Sequence, residues 1–488
     1  MAQRPRIAII GAGLGGLTAG ALLAKRGFRI TVIEKHFIVG GCATVFQRKG
    51  GFTCEVGLHE MDDVYGDPLK RSTFDELGVY GAVSFVEPNE FFSVRFSEDF
   101  EFTMPHNKRE AIDSLVNVFP NEKSSILKYF DTIAKLAKEY RTLLQGLSFS
   151  DKAFFPLRFP TLWRYRNESV LSAFNKLFSN KALQLILDTN IGYYHHKPSE
   201  LSFIYHAIAQ HGYFEGGGAF IKGGSQQLSN HLANVIEAHG GTIYTSAKAV
   251  SADSNHVYFV RKGERGQIPY DVLISNLSPM DTYALFGMRS TPAFPIGTSL
   301  FTVYLGFSKP LNERYGPQAY SRFFFDGISS LEDQEHMRSK PLAERGFVFV
   351  DYSQIASGLT PANKSFGAVV TVDDINSWDK SDKKAYRARK EVLAAAFISR
   401  LEQAYPGIAG IVEYKEAATP LTIRRYIGTP GGTPYGFAPL PSRIFRVPRV
   451  KSARLKNVYF VGQWVIGGGF SPAIISGKLA ADAISGVK

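Results

Sequence analysis

The chain has 488 residues, 44% of them hydrophobic and 20% charged. These values suit two or three packed domains and exclude a disordered or low-complexity protein. Only two cysteines occur, Cys42 and Cys54, which excludes a disulfide framework and a cysteine-rich metal site and fits a reducing compartment. The formal charge of +12 allows nucleic acid, anionic lipid or acidic ligands and selects none of them. No nucleic-acid-binding module accompanies it, so no nucleic-acid partner is expected.

Residues 1–6 are too few and too polar for a signal peptide. Residues 7–24 are apolar over 18 positions, the length of a short membrane span. Glycines interrupt that run in a phosphate-binding pattern, so the span is rejected. The expected location is cytoplasmic, in solution or at the cytoplasmic face of a membrane.

The pattern begins with Arg-Ile-Ala-Ile-Ile at 6–10, a β-branched strand suited to burial in a parallel sheet. Gly11, Gly13 and Gly16 follow as G-x-G-x-x-G, and 17–25 reads as a helix. A second strand over 28–33 ends at Glu34, 23 positions after Gly11. This is a β–α–β dinucleotide unit. Gly11 permits the tight turn, Gly13 lets main chain approach a pyrophosphate, and Gly16 lets the helix sit close to the strand. The helix N-terminus offers unpaired N–H groups to the phosphates, and Glu34 is placed to accept hydrogen bonds from a ribose diol.

Two further features favour FAD over NAD. The doublet Gly40-Gly41 follows Glu34 after five residues, a spacing similar to that of flavoproteins such as amine oxidases and phytoene desaturases. Near the other end, a strand over 457–462 closes on Gly462, then Gln463, a glycine run through Gly469, Phe470, and a helix over about 472–484. This resembles the closing motif of the same group, where strand, glycine and helix hold the ribityl chain. Family members often carry Asp at the position of Gln463.

The resemblance runs the length of the chain. Gly-Gly-Cys-Ala-Thr at 40–44 and Gly-Phe-Thr-Cys-Glu-Val-Gly at 51–57 are similar to a paired motif of the phytoene desaturase, carotenoid isomerase and retinol saturase superfamily of FAD-dependent oxidoreductases. So are the stretches at 222–228, 239–243, 271–279 and 418–436. Many members carry Arg where this chain has Cys42 and Asp where it has Glu55. The resemblance implies an α/β fold: a discontinuous Rossmann-like FAD-binding domain of the glutathione-reductase and amine-oxidase type, with a mixed-sheet and helical substrate domain. It implies cofactor contacts from Gly11, Gly13, Leu14, Gly15, Gly16, Glu34, Lys35, Gly40, Gly41 and Cys42. Further contacts are expected from Gly57, Leu58, His59, Ala249, Val250, Gly462, Gln463, Gly469 and Phe470.

On this reading residues 1–75, 215–285 and 452–488 bind FAD, while 76–214 and 286–451 bind substrate. Alternating apolar and polar residues predict strands over 84–104, and further strands are predicted at 298–307, 346–352 and 366–372. Helices are predicted over about 108–147, 168–188 and 381–404. The aromatic, basic stretch 154–166 suits either a membrane interface or a lid. The basic run 443–456, with six positive charges, reads as solvated surface.

No metal-ligand spacing and no hydrolase triad are visible. His195, His196 and His206 read as structural or surface groups, and Cys42 as an inert buried thiol. No catalytic residue is assigned; His59, close after Gly57, is the pocket candidate. The expected substrate is a lipophilic polyene or isoprenoid that is desaturated, saturated or isomerised. The alternatives are a flavin oxidase of another lipophilic or amine substrate, and a non-catalytic lipid-binding escort-type protein. Oligomeric state is left open.

Overall fold

The computed structural model describes residues 4–144, 146, 149–195, 197–443 and 450–487. Arg6–Ile10 lies in a parallel sheet of five strands whose order is Thr242–Tyr244, Arg29–Ile33, Arg6–Ile10, Val272–Ser275, Val458–Phe460. The inner strands are apolar at successive positions because helices cover both faces of such a sheet; Ala8 and Ile9 are wholly buried. From Arg6–Ile10 the chain winds outward on one side, then returns to add Val272–Ser275 on the other. The order therefore reverses between these two strands and opens a crevice at their carboxyl ends.

The helix Leu14–Lys25 packs against Gln226–Ala238 and Phe470–Ser485 and is buried along its length except at Lys25. It begins three residues earlier than the sequence predicts, so Gly15 and Gly16 form its first turn. The predicted start at residue 17 fails because glycine's poor helix propensity is overridden by close packing. A methyl group on Gly16 would lie 2.3 Å from the Gly11 carbonyl oxygen.

The second large sheet has seven strands in the order Val412–Ala418, Ser299–Phe307, Ser365–Asp373, Phe347–Asp351, Ser321–Phe324, Glu90–Ser97, Phe100–Pro105. All neighbours are antiparallel except Ser321–Phe324 beside Glu90–Ser97. The strands predicted around 298, 346 and 366 are all in it. Alternation across the pleat gives the sheet two apolar faces. Val369 packs with Phe397 and Leu401 of the helix Lys383–Ala404, while Val370 and Val372 line a cavity on the other side.

Two predicted helices are broken. Residues 108–144 form Lys108–Val118, a turn at Pro120–Glu122, and Lys123–Leu144. Pro120 disfavours helical backbone at Phe119 and cannot donate to the preceding turn. Residues 168–188 form Val170–Leu177 and Lys181–Leu187, and Asn180 caps the second helix by accepting from Leu183 N–H. The two breaks meet in space. Glu122 accepts the N–H groups of Ser179 and Asn180, both at 2.7 Å, and the Ser179 hydroxyl at 2.6 Å. No helix among the described residues is long and apolar enough to cross a membrane.

Candidate active site

The glycine loop closes around its own main chain. Gly11 has φ +93° and donates to the Ile33 carbonyl at 2.8 Å. Gly13 precedes the helix in extended conformation, with no side-chain cap and no acidic residue in the first turn. The helix N–H groups there are free to meet an anion. Gly40, at φ +118°, donates to the Ala12 carbonyl at 2.7 Å and bridges to Gly13. The doublet Gly40-Gly41 is thereby zipped onto the loop. No Cβ fits at Gly15, where a methyl would lie 2.5 Å from Gly462 N, and a methyl on Gly13 would lie 2.5 Å from Asn276 Nδ2 and displace that side chain. These residues fit a dinucleotide, since what they present is bare main chain and the end of a helix.

Glu34 is buried and accepts from Ala12 N–H at 2.8 Å and His36 N–H at 2.7 Å. Burial raises its carboxyl pKa against the pull of those N–H groups. The carboxylate thus holds the loop in shape and retains acceptor capacity for a diol. Lys35 is half-buried, with its amine pKa lowered by burial, and its Nζ reaches the Arg425 carbonyl at 3.4 Å. Just beyond the second strand, Ala247 N–H donates to the Glu34 carbonyl at 2.8 Å. Ala249 pairs with Phe259, and a bulge after it leaves Val250 exposed. At the other wall Gly462, at φ +84°, donates to Ser476 Oγ at 2.7 Å. Gln463 Nε2 donates to the Thr433 carbonyl at 3.2 Å, so Gln at this position ties the closing unit to the 430–436 loop. Gly469, at φ +104°, leads into the helix Phe470–Ser485.

A cavity of about 260 Å³ adjoins this cradle. Its walls include Gly57, Leu58 and His59; Ile191 and Tyr193; Phe323, Val348 and Val370 of the second sheet; and Tyr435, Ile466, Gly469 and Phe470. The 57–59 segment is anchored from both sides. Glu55 Oε1 accepts from Gly57 N–H at 3.2 Å and Leu58 N–H at 3.1 Å, while its other oxygen accepts from Ser225 N–H at 2.8 Å. Tyr352 donates to the Leu58 carbonyl at 3.1 Å and Tyr320 to the His59 carbonyl at 2.7 Å.

His59 Nδ1 lies 3.1 Å from Tyr193 Oη. Burial holds the imidazole pKa at about 4 and the phenol well above its ordinary value, so both are uncharged near neutrality. Cys42 lies against Gly57, and burial pushes its thiol up to about 12, which leaves it protonated and a poor nucleophile.

The other predicted residues scatter. His195 lines the cavity and is held at about 4 by burial, and its Nδ1 accepts from Lys197 N–H at 3.0 Å. His206 is fully buried on Phe203–Gly216, 3.5 Å from Asp188. His196 lies outside the described residues, as do 444–449 of the basic run. At Arg443 the solvated reading is corrected. This guanidinium is 3% exposed and donates to the carbonyls of Phe437 at 2.6 Å and Val465 at 3.4 Å, because a planar fork satisfies several carbonyls at once.

Sequence reasoning missed Tyr193, Asn276 and a buried cluster at the cavity edge. In that cluster Lys70 donates to the Asp62 carbonyl and to Ser471 Oγ at 2.7 Å, and Ser471 donates to Asp62 Oδ1 at 2.6 Å. Only Asn276 had a readable signal, its place directly after a strand of the parallel sheet.

A nucleotide cradle of main chain beside an apolar chamber is the layout of a flavin-dependent oxidoreductase. The chain belongs to the flavin containing amine oxidoreductase family, whose model matches residues 14–485. It is 25% identical to the all-trans-retinol 13,14-reductase of Danio rerio over 98% of this chain and 85% of that one. It is also 25% identical to the chloroplastic prolycopene isomerase of Arabidopsis thaliana, over 97% and 82%. The likeness to a retinol reductase and a carotenoid isomerase agrees with the superfamily that the sequence motifs resemble. Cyclohexylamine oxidase from Brevibacterium oxydans IH-35A shares the fold, with a TM-score of 0.63 at 14% identity over 99% of each chain.

Proposed function

We propose that the protein binds FAD and uses it on carbon–carbon single or double bonds of a lipophilic polyene or isoprenoid, by desaturation, saturation or cis–trans isomerisation. Residues 1–75, 215–285 and 452–488 hold the cofactor, and 76–214 with 286–451 hold the substrate. The carrying observation is the apolar cavity that meets the cradle at Gly57–His59 and contains one hydrogen-bonded imidazole–phenol pair. When bound, a flavin dinucleotide supplies two-electron hydride exchange with carbon. The chain's part is to align the chain of double bonds along the sheet wall, to exclude water, and to hold a proton on His59 or Tyr193. One member of that pair is a donor in either imidazole tautomer. The prolycopene isomerase and retinol reductase likeness supports a polyene and does not choose among the three reactions.

A membrane contact belongs to the same reading. Phe154, Leu157 and Trp163 are exposed beside Arg158, Arg164 and Arg166. The helix Pro160–Tyr165 packs on Lys123–Leu144, whose Ala137, Tyr140 and Leu144 line the cavity. An apolar substrate leaving a bilayer at this patch would have one helix to pass.

The test is anaerobic mixing of the holoprotein, oxidised and then reduced, with a panel of polyenes and isoprenoid lipids, followed by flavin absorbance and product chromatography. Bleaching of the oxidised form identifies desaturation, and reoxidation of the reduced form identifies saturation. A rearranged polyene with unchanged flavin identifies isomerisation. No reaction of any polyene, with bleaching by an amine, would overturn the reading in favour of an amine oxidase.

A further inference from the structure

Asn276 stands at the end of Val272–Ser275, on the floor of the crevice where the strand order reverses. Its N–H donates to the Ile10 carbonyl at 2.8 Å, so its main chain is fixed to the end of the first strand. Its side chain is surrounded by glycines from both halves of the cradle. A methyl on Gly13 would meet Asn276 Nδ2 at 2.5 Å. One on Gly462 would meet Oδ1 at 2.2 Å, and one on Gly15 would meet it at 3.0 Å. Gly11 and Gly16 face its Cβ in the same way, at 3.2 and 3.5 Å. Among the described residues this carboxamide makes no hydrogen bond to protein, although it is half-buried in a site otherwise walled by main chain.

A half-buried carboxamide with no protein partner keeps its donors for a ligand in the crevice. Beside it are the uncapped helix N-terminus and the Gly13 main chain, both suited to an anion. We propose that Asn276 is a cofactor-binding residue, whose Nδ2 donates to the pyrophosphate of the flavin dinucleotide while Oδ1 sits against Gly462. The glycines at 13, 15 and 462 then have a second purpose. They admit this side chain as well as the phosphates, and the carboxamide links the opening and closing cofactor motifs. The inference rests on the FAD reading and adds to it a side-chain donor.

The test is titration of FAD into the apoprotein, read by flavin fluorescence, for wild type, N276D and N276A, with the melting temperature of each apoprotein recorded. Asp has the shape of Asn, replaces the donor by an acceptor and sets a negative charge against the phosphates. N276D should raise the FAD Kd by at least about tenfold, with the loss shrinking as salt screens the repulsion. N276A, which removes the donor without adding charge, should weaken binding less. If N276D does not fold, N276A decides alone. Wild-type affinity in either folded variant overturns the role of Asn276 while leaving the FAD reading intact. Wild-type protein that binds no FAD overturns both.

Discussion

In the cradle, the groups that would face a cofactor are nearly all main chain. They are the backbone surface at Gly13 and Gly41, the free N–H groups in the first turn of Leu14–Lys25, and the turn at Gly462. In the cavity they are side chains, delivered by segments near residues 58, 192, 323, 348, 370, 435 and 470. A site made of main chain depends on the absence of side chains, so any added atom damages it. A site made of side chains is tuned by exchanging them, so one cradle can serve many substrates while the cavity changes around it.

The largest expected effect tests the first half of that contrast. Gly13→Val should strip the flavin, because a branched side chain there would block the approach of the pyrophosphate to the main chain and displace Asn276; purified protein that keeps one flavin per chain by absorbance would break the comparison. Next, Tyr193→Phe should keep full flavin occupancy and its spectrum while slowing polyene turnover by about 10²-fold, the usual worth of a positioned proton donor. A variant that loses flavin as well would show that the two regions are not separable.

Neutralising Arg158, Arg164 and Arg166 together should weaken sedimentation with anionic liposomes about tenfold. That is less than three isolated charges would contribute, because Arg158 already pairs with Asp151 at 3.3 Å. Unchanged sedimentation removes the membrane contact.

The smallest effect concerns acid stability. His59 sits at about 4 in the fold against an ordinary 6.5. Between these values the unfolded chain takes a proton that the folded chain excludes. Its stabilising share is whole above about 6.5 and drains away as pH falls towards 4, by up to ~1.4 kcal/mol per pH unit. In the apoprotein, His59→Gln should flatten the fall of melting temperature across that window; an unchanged slope would mean that the imidazole is already charged in the fold.

The contrast also explains what could be read beforehand. Gly11, Gly13, Gly16 and Glu34 lie within 24 residues, and their chemistry follows from local spacing. Tyr193 comes from a short turn, Thr189–Tyr193, 134 positions from His59, and no local period announces such a meeting. Asn276 is intermediate. It lay in a recognised stretch, but its neighbours became known only once its strand was inserted beside Arg6–Ile10. The break at Pro120 is masked by apolar periodicity that continues on both of its sides, and the break at Asn180 carries no proline to mark it. Arg443 was misread because charge was taken for exposure.

The strand order carries a consequence for biosynthesis. Val272–Ser275 gains its outer neighbour with Val458–Phe460, and the cover of the first helix is completed by Phe470–Ser485. A ribosome that has delivered the glycine loop must still add more than four hundred residues before the other wall of the cradle exists. Flavin capture is thus a closing act of maturation, and a nascent chain interrupted before residue 458 should emerge colourless.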